Sequence, residues 1–308
     1  MAQQHKKPVA LFVYNRPSMT ARTLNAIIQY QPDTLFVVSD GPKKNIDDEH
    51  KVNAVRELLA SCEDLFNVVS WHREANVGCR QSIMTGLDWV FDQVDQCIIL
   101  EDDCLPDRTF FDYCAQLLDR YQTCAEVMSI GGFRAEQLKF SGEYSYGFSK
   151  YPSTWGWATW RRAVTGFRTA LAHWSDEDAM KWLESYLGSG TYARYWAYKL
   201  SSAHRGADLW DYTWAYHCWR RGGLSIYPSV SMIKNIGFGP EATSTVHSQH
   251  PFAQQNSQGF AFPMKHPVSI AASRDYDERV EHLLYSGMQR RCLELMRKAA
   301  LERLARST

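Results

Sequence analysis

The fold is decided around residues 97–103, Cys97-Ile98-Ile99-Leu100-Glu101-Asp102-Asp103, where an apolar run of strand length ends in three consecutive carboxylates. Such a run places negative charge at the carboxyl edge of a sheet, which is where open α/β sheets bind ligands. Carboxylates this close repel one another, so they favour a site where a cation or a reacting group compensates them. Their oxygen atoms suit Mn²⁺ or Mg²⁺, which often bind through one or two carboxylates and a substrate's phosphates. A solvated acidic turn is the alternative for the triplet alone.

The residues around the triplet, up to about residue 135, alternate between strand and helix patterns. The predicted strands are Val9–Asn15, Thr34–Asp40, Phe66–His72, Cys97–Leu100 and Val127–Phe133. The predicted helices run from Ser18, as N-cap, to Gln31, and then over Asp47–Ser61, Asn76–Asp92 and Asp107–Gln122. This alternation indicates right-handed βαβ crossovers. We therefore predict an α/β fold with a mainly parallel sheet flanked by helices.

The pattern changes after Gly131-Gly132, and the second half is rich in aromatic residues. It predicts strands over Tyr144–Tyr151 and Leu224–Val230, helices over Asp176–Leu187, Thr191–His204 and Asp208–Arg221, an aromatic loop or short helix over Thr154–Arg162, and a mobile loop over Asn235–Pro267. A charged helix from about Asp275 forms the tail, with Val280, Leu283, Leu284 and Met288 on one face. We expect an α/β half (1–135), a second half of the same domain (136–270) and a helical tail (271–308).

Composition excludes several classes of function. The 34 Lys and Arg balance the 34 Asp and Glu, so nucleic acid is not expected as a partner. No stretch approaches the ~18 apolar residues of a membrane span, and the N-terminus does not resemble a signal peptide. The eight cysteines are scattered without a CxxC pair, which indicates reduced thiols and a cytoplasmic location.

Three predicted strands end in polar groups, namely Asn15-Arg16, Ser39-Asp40-Gly41 and the acidic triplet. Because the ends of parallel strands emerge at one edge, these groups can converge on one ligand. Arg16 could bind a phosphate, Asp40 could accept a hydrogen bond from a base, and Asp103 could ligate a metal that bridges a diphosphate. Alternatively, Arg16 caps or pairs, and Asp40 only makes its turn. The chain has neither G-x-x-x-x-G-K-[ST] nor G-x-G-x-x-G, which argues against P-loop and dinucleotide sites.

These motifs, in this order, resemble those of glycosyltransferases of the GT-A fold, and more narrowly of the N-acetylglucosaminyltransferase I group and its bacterial relatives. That group carries a Glu-Asp-Asp form of the metal-binding DxD motif. The resemblance covers about residues 8–245 and continues beyond the three strand ends through Trp155-Gly156-Trp157, Trp210-Asp211-Tyr212-Thr213-Trp214, the segment Arg221–Ser231 and Gly237-Phe238-Gly239.

The resemblance implies a donor site with Mn²⁺ (or Mg²⁺) as cofactor. Asp103 would be the main protein ligand of the metal, which the donor's diphosphate also binds. Glu101 and Asp102 would contact ribose or the donor sugar. Arg16 would lie near the diphosphate, and Asp40, with Gly41, near the uracil.

Asp211 matches the general base that deprotonates the acceptor hydroxyl. This chain has Tyr212 where the family has a second acidic residue, and Thr213 is an extra residue before the next Trp, so the alignment slips by one position. The structural alternative makes Asp208 the N-cap and places Asp211 at the positive end of the helix, worth about 0.3–1 kcal/mol. Asp208 is the second candidate base.

The aromatic segment around Trp155 and Gly156 is expected either to line the donor-sugar pocket or to form a packed wedge with Trp157 and Trp160. Glycine between two Trp residues suggests a close backbone approach. His247 and His250 could reach the metal, although loop histidines are usually only solvated. The basic tail could rest on an anionic membrane, against the alternative of a solvated helix; it contains Arg290, Arg291, Arg297, Lys298, Arg303 and Arg306.

The predicted function is a metal-dependent, inverting glycosyltransferase that moves a sugar from a nucleoside diphosphate donor, UDP by resemblance, to a hydroxyl. N-acetylglucosamine is one candidate sugar, and the acceptor is a glycan, either lipid-linked or protein-linked. Three alternatives stay open. One is a non-catalytic protein that binds glycans or nucleotide sugars. Another is a sugar nucleotidylyltransferase, which usually has a Gly-rich N-terminal loop that Val9–Pro17 lacks. The third is a hydrolase that uses the acidic triplet to cleave nucleotide sugars.

Overall fold

A computed structural model describes residues 6–140, 142–238 and 252–286. Within these ranges, strands form an eight-stranded and a two-stranded sheet. The strands are β1 (Val9–Val13), β2 (Thr34–Ser39), β3 (Asn67–His72), β4 (Gln96–Glu101), β5 (Cys104–Pro106), β6 (Val127–Gly131), β7 (Tyr146–Ser149), β8 (Trp157–Trp160), β9 (Leu224–Pro228) and β10 (Ile233–Asn235). The helices are α1 (Pro17–Tyr30), α2 (Ile46–Ala60), α3 (Cys79–Phe91), α4 (Thr109–Arg120), α5 (Arg161–Val164), α6 (Asp176–Leu187), α7 (Gly190–His204) and α8 (Trp210–Arg220), and residues 274–286 are also helical.

The large sheet has the strand order β3-β2-β1-β4-β8-β6-β9-β7. Its first four strands are parallel. β8 runs antiparallel between β4 and β6, β9 is parallel to β6, and β7 is antiparallel at the edge. The prediction of an α/β fold with a mainly parallel sheet is therefore confirmed. Because β1 to β3 step toward one edge and β4 then lies on the other side of β1, the chain reverses direction across the sheet between β1 and β4.

The sequence of β1 shows why the sheet is covered on both faces. All five of its residues are buried, as expected for a central parallel strand. Val9, Leu11 and Val13 pack in the cluster that includes side chains of α1, α2 and α4. Ala10 and Phe12 point to the opposite face and pack with side chains of α3 and α8. Because successive side chains of β1 point to opposite faces of the sheet, this one strand contributes to the hydrophobic clusters on both faces.

The expectation of a loop or short helix over Thr154–Arg162 is wrong for its central part. Trp157 to Trp160 form β8, in which Trp157 lies in register with Ile99 on one side and Gly131 on the other. Trp157 is 1 % and Trp160 is 2 % exposed. Only the four residues of α5 that follow are helical. The burial of this short run comes from insertion between β4 and β6, which local sequence does not encode.

Two helix starts also differ from the predictions. α1 begins at Pro17, with Arg16 rather than Ser18 as the N-cap; the fixed φ of proline suits the first helical position. α8 begins at Trp210 with Leu209 as the N-cap, so Asp208 lies one residue too early to cap it. Asp211 is therefore the second helical residue. It still lies in the first turn, where a carboxylate is favourable.

A short antiparallel sheet, which the sequence did not suggest, links distant parts of the chain. Asn235 of β10 pairs with Cys104 of β5, directly after the acidic triplet. The pairing brings the segment that follows β10 against Asp103. The two strands are three residues long, too short for a pattern of alternating side chains to reveal them.

The helical residues 274–286 pack on the second half of the fold. Tyr151 donates a hydrogen bond to Glu281 (2.6 Å), and Ser149 donates one to Asp277 (2.5 Å). Lys150 pairs with Glu281 at 2.8 Å. The basic residues of the tail, Met288, His247, His250 and Gly239 lie outside the described residues. Across the described ranges, no helix is long and apolar enough to cross a membrane.

Candidate active site

The carboxyl ends of β1 and β4 lie side by side at the point where the strand order reverses. Phe12 of β1 is in register with Glu101 of β4, and the Asp102 N–H donates to the Phe12 carbonyl (3.0 Å). The loop after β1, which carries Arg16, and the acidic triplet therefore emerge together. In open α/β sheets, such a reversal point opens a crevice that binds ligands.

Arg16 holds two carboxylates of the triplet. Its Nη2 donates to Asp102 Oδ1 at 2.6 Å, and its Nη1 donates to Asp103 Oδ2 at 2.9 Å. Asp102 is 2 % exposed, so this contact neutralises a buried charge. Burial raises the pKa of Asp102, and the guanidinium at 2.6 Å opposes that rise. Burial alone would lower the pKa of Arg16, yet the two carboxylates raise it, so the guanidinium stays charged.

Glu101 is the carboxylate of the triplet that Arg16 does not hold. Its side chain is partly exposed, and within the described ranges no donor contacts its carboxylate. Burial raises the pKa of Glu101, and the charges of Asp103 and Asp102 raise it further. Three carboxylates thus share one guanidinium, and a cation bound beside Glu101 would oppose this rise and favour the ionised form of Glu101.

The backbone after β10 closes over Asp103. The Ile236 N–H donates to the Asp103 carbonyl at 2.8 Å. A Cβ placed on Gly237 would lie 2.3 Å from Asp103 Oδ2 and 2.9 Å from its Cγ. Only glycine fits here unless the carboxylate moves, so this segment fixes the position of Asp103.

Asp40, at the carboxyl end of β2, organises the loop between β3 and α3. Its Oδ1 accepts from the N–H groups of Gly41 (2.9 Å) and Val77 (3.0 Å). Its Oδ2 accepts from Asn76 Nδ2 (2.9 Å) and the Gly78 N–H (3.1 Å). Burial raises the pKa of Asp40, and the backbone N–H donors oppose that rise. With about four acceptor positions per carboxylate, these bonds use its full capacity.

Sequence reasoning missed two arginines beside this loop, Arg56 of α2 and Arg73, which directly follows β3. Arg56 donates to the Arg73 carbonyl (2.7 Å) and to Ser39 Oγ (3.1 Å). The Arg73 guanidinium lies 3.8 Å from the ring centroid of Trp71. Arg73 directly follows β3, so the strand-end argument that selected Arg16 applied to it as well. Gly41 belongs to the same loop system, since a Cβ there would lie 2.4 Å from the carbonyl carbon of Ala75.

Asp211 lies in the first turn of α8, which packs against α3. Trp210, which precedes Asp211, packs in one cluster with Phe12, the residue of β1 in register with Glu101, and with side chains of α3. Burial raises the pKa of Cys79, the first residue of α3, and the charges of nearby carboxylates, Asp211 among them, raise it further. The two halves of the chain thus meet at α3.

The Asp211 side chain is exposed to solvent but lies in crowded surroundings. These surroundings raise its pKa by desolvation, while the N–H groups of Tyr212 and of Asp211 itself, together with Lys199, oppose the rise. Desolvation also raises the pKa of the exposed Asp208, and the backbone and charge of Arg80 oppose it. A carboxylate with a raised pKa is a stronger base than an ordinary one, and an exposed one can reach a substrate.

Trp155 and Gly156 lie between the small sheet and β8. The Trp155 ring packs 4.7 Å from Phe133 and 5.9 Å from Phe238, measured between centroids. Gly156 has φ +61, and a Cβ there would lie 2.3 Å from Cδ1 of Ile233. Glycine is therefore favoured at position 156 both because a side chain would clash with Ile233 and because the backbone has a positive φ. Trp157 and Trp160 are core residues and offer no face to a sugar.

Among the described residues, no three His, Cys, Asp or Glu side chains are arranged as an all-protein metal cage. The oxygen donors of Asp103 and Glu101 instead suit a hard divalent ion that completes its coordination with phosphate and water. Such an ion would counter the repulsion among the carboxylates of the triplet.

No protein-family model matches this sequence, and no curated protein matches it. The chain is similar to the solved structure of GalNAc-T7 with UDP, GalNAc and Mn²⁺ (TM-score 0.48, 12 % identity, 80 % of this chain and 46 % of that chain). It is also similar to the mannosyltransferase PcManGT from Pyrobaculum calidifontis in complex with GDP-Man and Mn²⁺ (TM-score 0.39, 12 % identity, 70 % of both chains). A third similar structure is that of UDP-glucose pyrophosphorylase complexed with UDP-glucose (TM-score 0.33, 10 % identity, 55 % of this chain and 80 % of that chain). The fold class rests on the sheet topology of this chain itself.

Proposed function

We propose that this protein is a metal-dependent, inverting glycosyltransferase that transfers a sugar from a nucleoside diphosphate donor, UDP in the first instance, to a hydroxyl of a glycan acceptor, lipid-linked or protein-linked. One observation carries the proposal. The acidic triplet lies at the reversal point of the sheet, and the exposed Asp211 lies in the first turn of α8, which packs in one cluster with β1 and α3. The first group suits a charged leaving group with its metal, and the second suits a hydroxyl that must lose a proton.

Asp103 would hold Mn²⁺ or Mg²⁺ together with the donor's diphosphate, and Glu101 would share in that site. When bound, such an ion acts as a Lewis acid that neutralises charge on the departing diphosphate. Arg16 serves as a positioning residue, since it fixes Asp102 and Asp103 against each other (2.6 Å and 2.9 Å). Asp102 is the buried anchor of this arrangement. These roles differ from the contacts with phosphate and with ribose or donor sugar that the resemblance implied for Arg16 and Asp102.

Asp40 supports the donor site through the loop that it holds. Three of its four hydrogen bonds hold the Asn76 side chain and the backbone of Val77 and Gly78, next to the start of α3, and the fourth comes from the Gly41 N–H. Gly41 allows that loop to lie close to the end of β2. We assign uracil recognition to this loop rather than to the Asp40 carboxylate. Trp155 and Gly156 would form the opposite wall, beside the donor sugar.

Asp211 would act as the general base. Its carboxylate accepts the proton of the acceptor hydroxyl while that oxygen bonds to the anomeric carbon. The bond from the anomeric carbon to the diphosphate oxygen breaks in the same step, and the diphosphate leaves with the electron pair. Because attack occurs opposite the leaving group, the anomeric configuration inverts. No covalent carboxylate intermediate is needed.

Stereochemistry tests this proposal directly. We expect the product formed from an α-linked UDP-sugar to carry a β-linkage, which proton NMR of the anomeric region detects during the reaction. Retention of the α-configuration would contradict the assignment of Asp211 as a base. Transfer of a nucleotidyl group with release of pyrophosphate, measured in parallel, would instead indicate a sugar nucleotidylyltransferase.

Gly237→Ala is expected to lower the rate of donor consumption by about 100-fold, because an added methyl group displaces Asp103. The physical reason is the separation of 2.3 Å between that position and Asp103 Oδ2. Rates of UDP release with each UDP-sugar, together with melting temperature, measure the effect. Gly259→Ala is the matched control, since a Cβ there meets nothing nearer than 3.9 Å. Equal rates for the two variants would show that the position of Asp103 does not limit activity.

A further inference from the structure

We propose that a groove on the outer side of α7 binds the saccharide part of the acceptor. The groove, here called the α7 groove, has a volume of about 290 Å³ and is lined by Thr191, Arg194, Tyr195, Tyr198 and Tyr285. This inference rests on the proposed function, because it identifies the chemistry of the acceptor that the same active site would use. It adds a binding surface that the motifs of the donor site do not contain.

The composition of the α7 groove suits a sugar ring. Tyr198 is 67 % exposed, so its ring is open to a ligand. A pyranose ring presents an apolar C–H face and a rim of hydroxyls, and tyrosine offers an apolar ring with a polar tip. Arg194 is exposed, and among the described residues its guanidinium makes one long hydrogen bond, to Thr191 Oγ1 (3.4 Å). Its guanidinium can therefore turn toward ring hydroxyls or toward an acidic substituent of the glycan.

A chain of contacts joins the α7 groove to Asp211. Tyr195, which lines the groove, shares a hydrogen bond of 2.5 Å with Tyr212, the residue that follows Asp211 in α8. Lys199 Nζ lies 5.6 Å from the ring centroid of Tyr195 and 5.1 Å from that of Tyr212. Desolvation raises the pKa of Tyr195, and the charge of Asp211 raises it further, so the two side chains lie within electrostatic reach. The groove and Asp211 are thus connected through the packed tyrosines of α7 and α8.

The helix that carries the groove, α7, is packed firmly against the rest of the protein. The opposite side of α7 is buried through Ala193, Trp196 and Leu200. Trp196 packs 4.3 Å from Trp219 and 4.9 Å from Tyr212 between centroids. Because α7 and α8 are packed together in this way, the tyrosines on the outer side keep a fixed position relative to Asp211. A substitution at Tyr198 would leave this packing intact.

The experiment uses the full chain and two readouts. A glycan array with neutral and acidic oligosaccharides measures binding without donor, and a transfer screen over the same glycans uses a panel of UDP-sugars. The variants are Tyr198→Ala, Arg194→Ala and the conservative Tyr198→Phe. The matched controls are Tyr144→Ala, another exposed tyrosine (39 %), and Arg274→Ala, another exposed arginine (92 %). Donor hydrolysis by water, measured for every variant, reports the state of the donor site.

We expect Tyr198→Ala and Arg194→Ala to raise the acceptor KM about tenfold, with donor hydrolysis unchanged and with Tyr198→Phe close to the wild type. Whether the bound glycans are neutral or acidic identifies the partner of Arg194. An unchanged acceptor KM in both Ala variants would overturn the α7 groove while the proposed function stands. Transfer only to acceptors without a saccharide would overturn it as well.

If no nucleotide sugar is turned over, the proposed function fails. Glycan binding on the array then tests by itself whether the α7 groove binds saccharides. Glycan binding that is lost in Tyr198→Ala and kept in Tyr144→Ala would support the groove. The absence of any bound glycan would overturn it.

Discussion

Asp103→Asn is expected to lower the rate of sugar transfer by at least about 10³-fold, since removal of one charge-stabilising group from a reaction centre typically costs 10²–10³ and the bound ion would be lost with it. Asparagine keeps the size of the side chain but removes its negative charge. One of the two carboxylates held by Arg16 would disappear, while the contact of 2.6 Å with Asp102 persists. The fold should therefore survive.

UDP release, measured over a titration of Mn²⁺, provides the readout. The wild type should show saturable activation by the ion, and Asp103→Asn should show none at the same concentrations. Asp95→Asn is the control for loss of a carboxylate, because the Asp95 side chain is 77 % exposed and forms a surface ion pair with Arg161. Full activity of Asp103→Asn, with an unchanged dependence on Mn²⁺, would remove the acidic triplet from the mechanism.

The second large effect is expected at Asp211. Asp211→Asn should lower kcat by about 10²–10⁴-fold, the usual contribution of a positioned general base. Donor binding should be retained, because the substitution leaves the triplet unchanged. Asp208→Asn is the matched control on the preceding loop, and it should change kcat by less than about tenfold. The reverse result, a large loss only in Asp208→Asn, would identify Asp208 as the base.

The pH profile separates a base from a structural carboxylate at the same position. Desolvation raises the pKa of Asp211 above its ordinary value. A base must be unprotonated, so kcat/KM should fall as the pH decreases through this raised pKa, and the fall should begin at a higher pH than for an ordinary Asp. In Asp211→Asn, the remaining activity should lose this acidic limb. A limb that persists unchanged would belong to another group.

The sequence predicted the parallel part of the fold because strand and helix patterns there are local. The apolar run before the triplet was extended by one residue at each end, to Gln96–Glu101, and α6 begins and ends as predicted, at Asp176 and Leu187. In contrast, Trp157–Trp160 forms a central strand only because β4 and β6 leave room for it. Its four residues have no signal that distinguishes a buried strand from an aromatic loop.

The candidate site was predicted in its location more than in its contacts. Because the ends of parallel strands emerge together, Arg16 and the triplet were expected at one sheet edge, and the structure brings them together. The alternative that Arg16 caps or pairs is the one observed, since Arg16 is the N-cap of α1 and its guanidinium pairs with Asp102 and Asp103, partners that the sequence did not identify. Three of the four bonds that occupy Asp40 likewise come from a loop that lies 36 to 38 residues further along the chain. Pairing partners at such separations are set by tertiary structure.

Thermal unfolding with a panel of nucleotides and nucleotide sugars, with and without Mn²⁺, tests the central claim most directly, beside Asp103→Asn. A ligand that binds only the folded protein stabilises it, by about 2.7 kcal/mol at 100 times its Kd, which corresponds to a rise in Tm of roughly 5 °C for a chain of this size. The account predicts such a rise for a UDP-sugar with Mn²⁺ and its loss in Asp103→Asn. No rise with any nucleotide, or an equal rise in Asp103→Asn, would contradict a metal-dependent donor site at the acidic triplet.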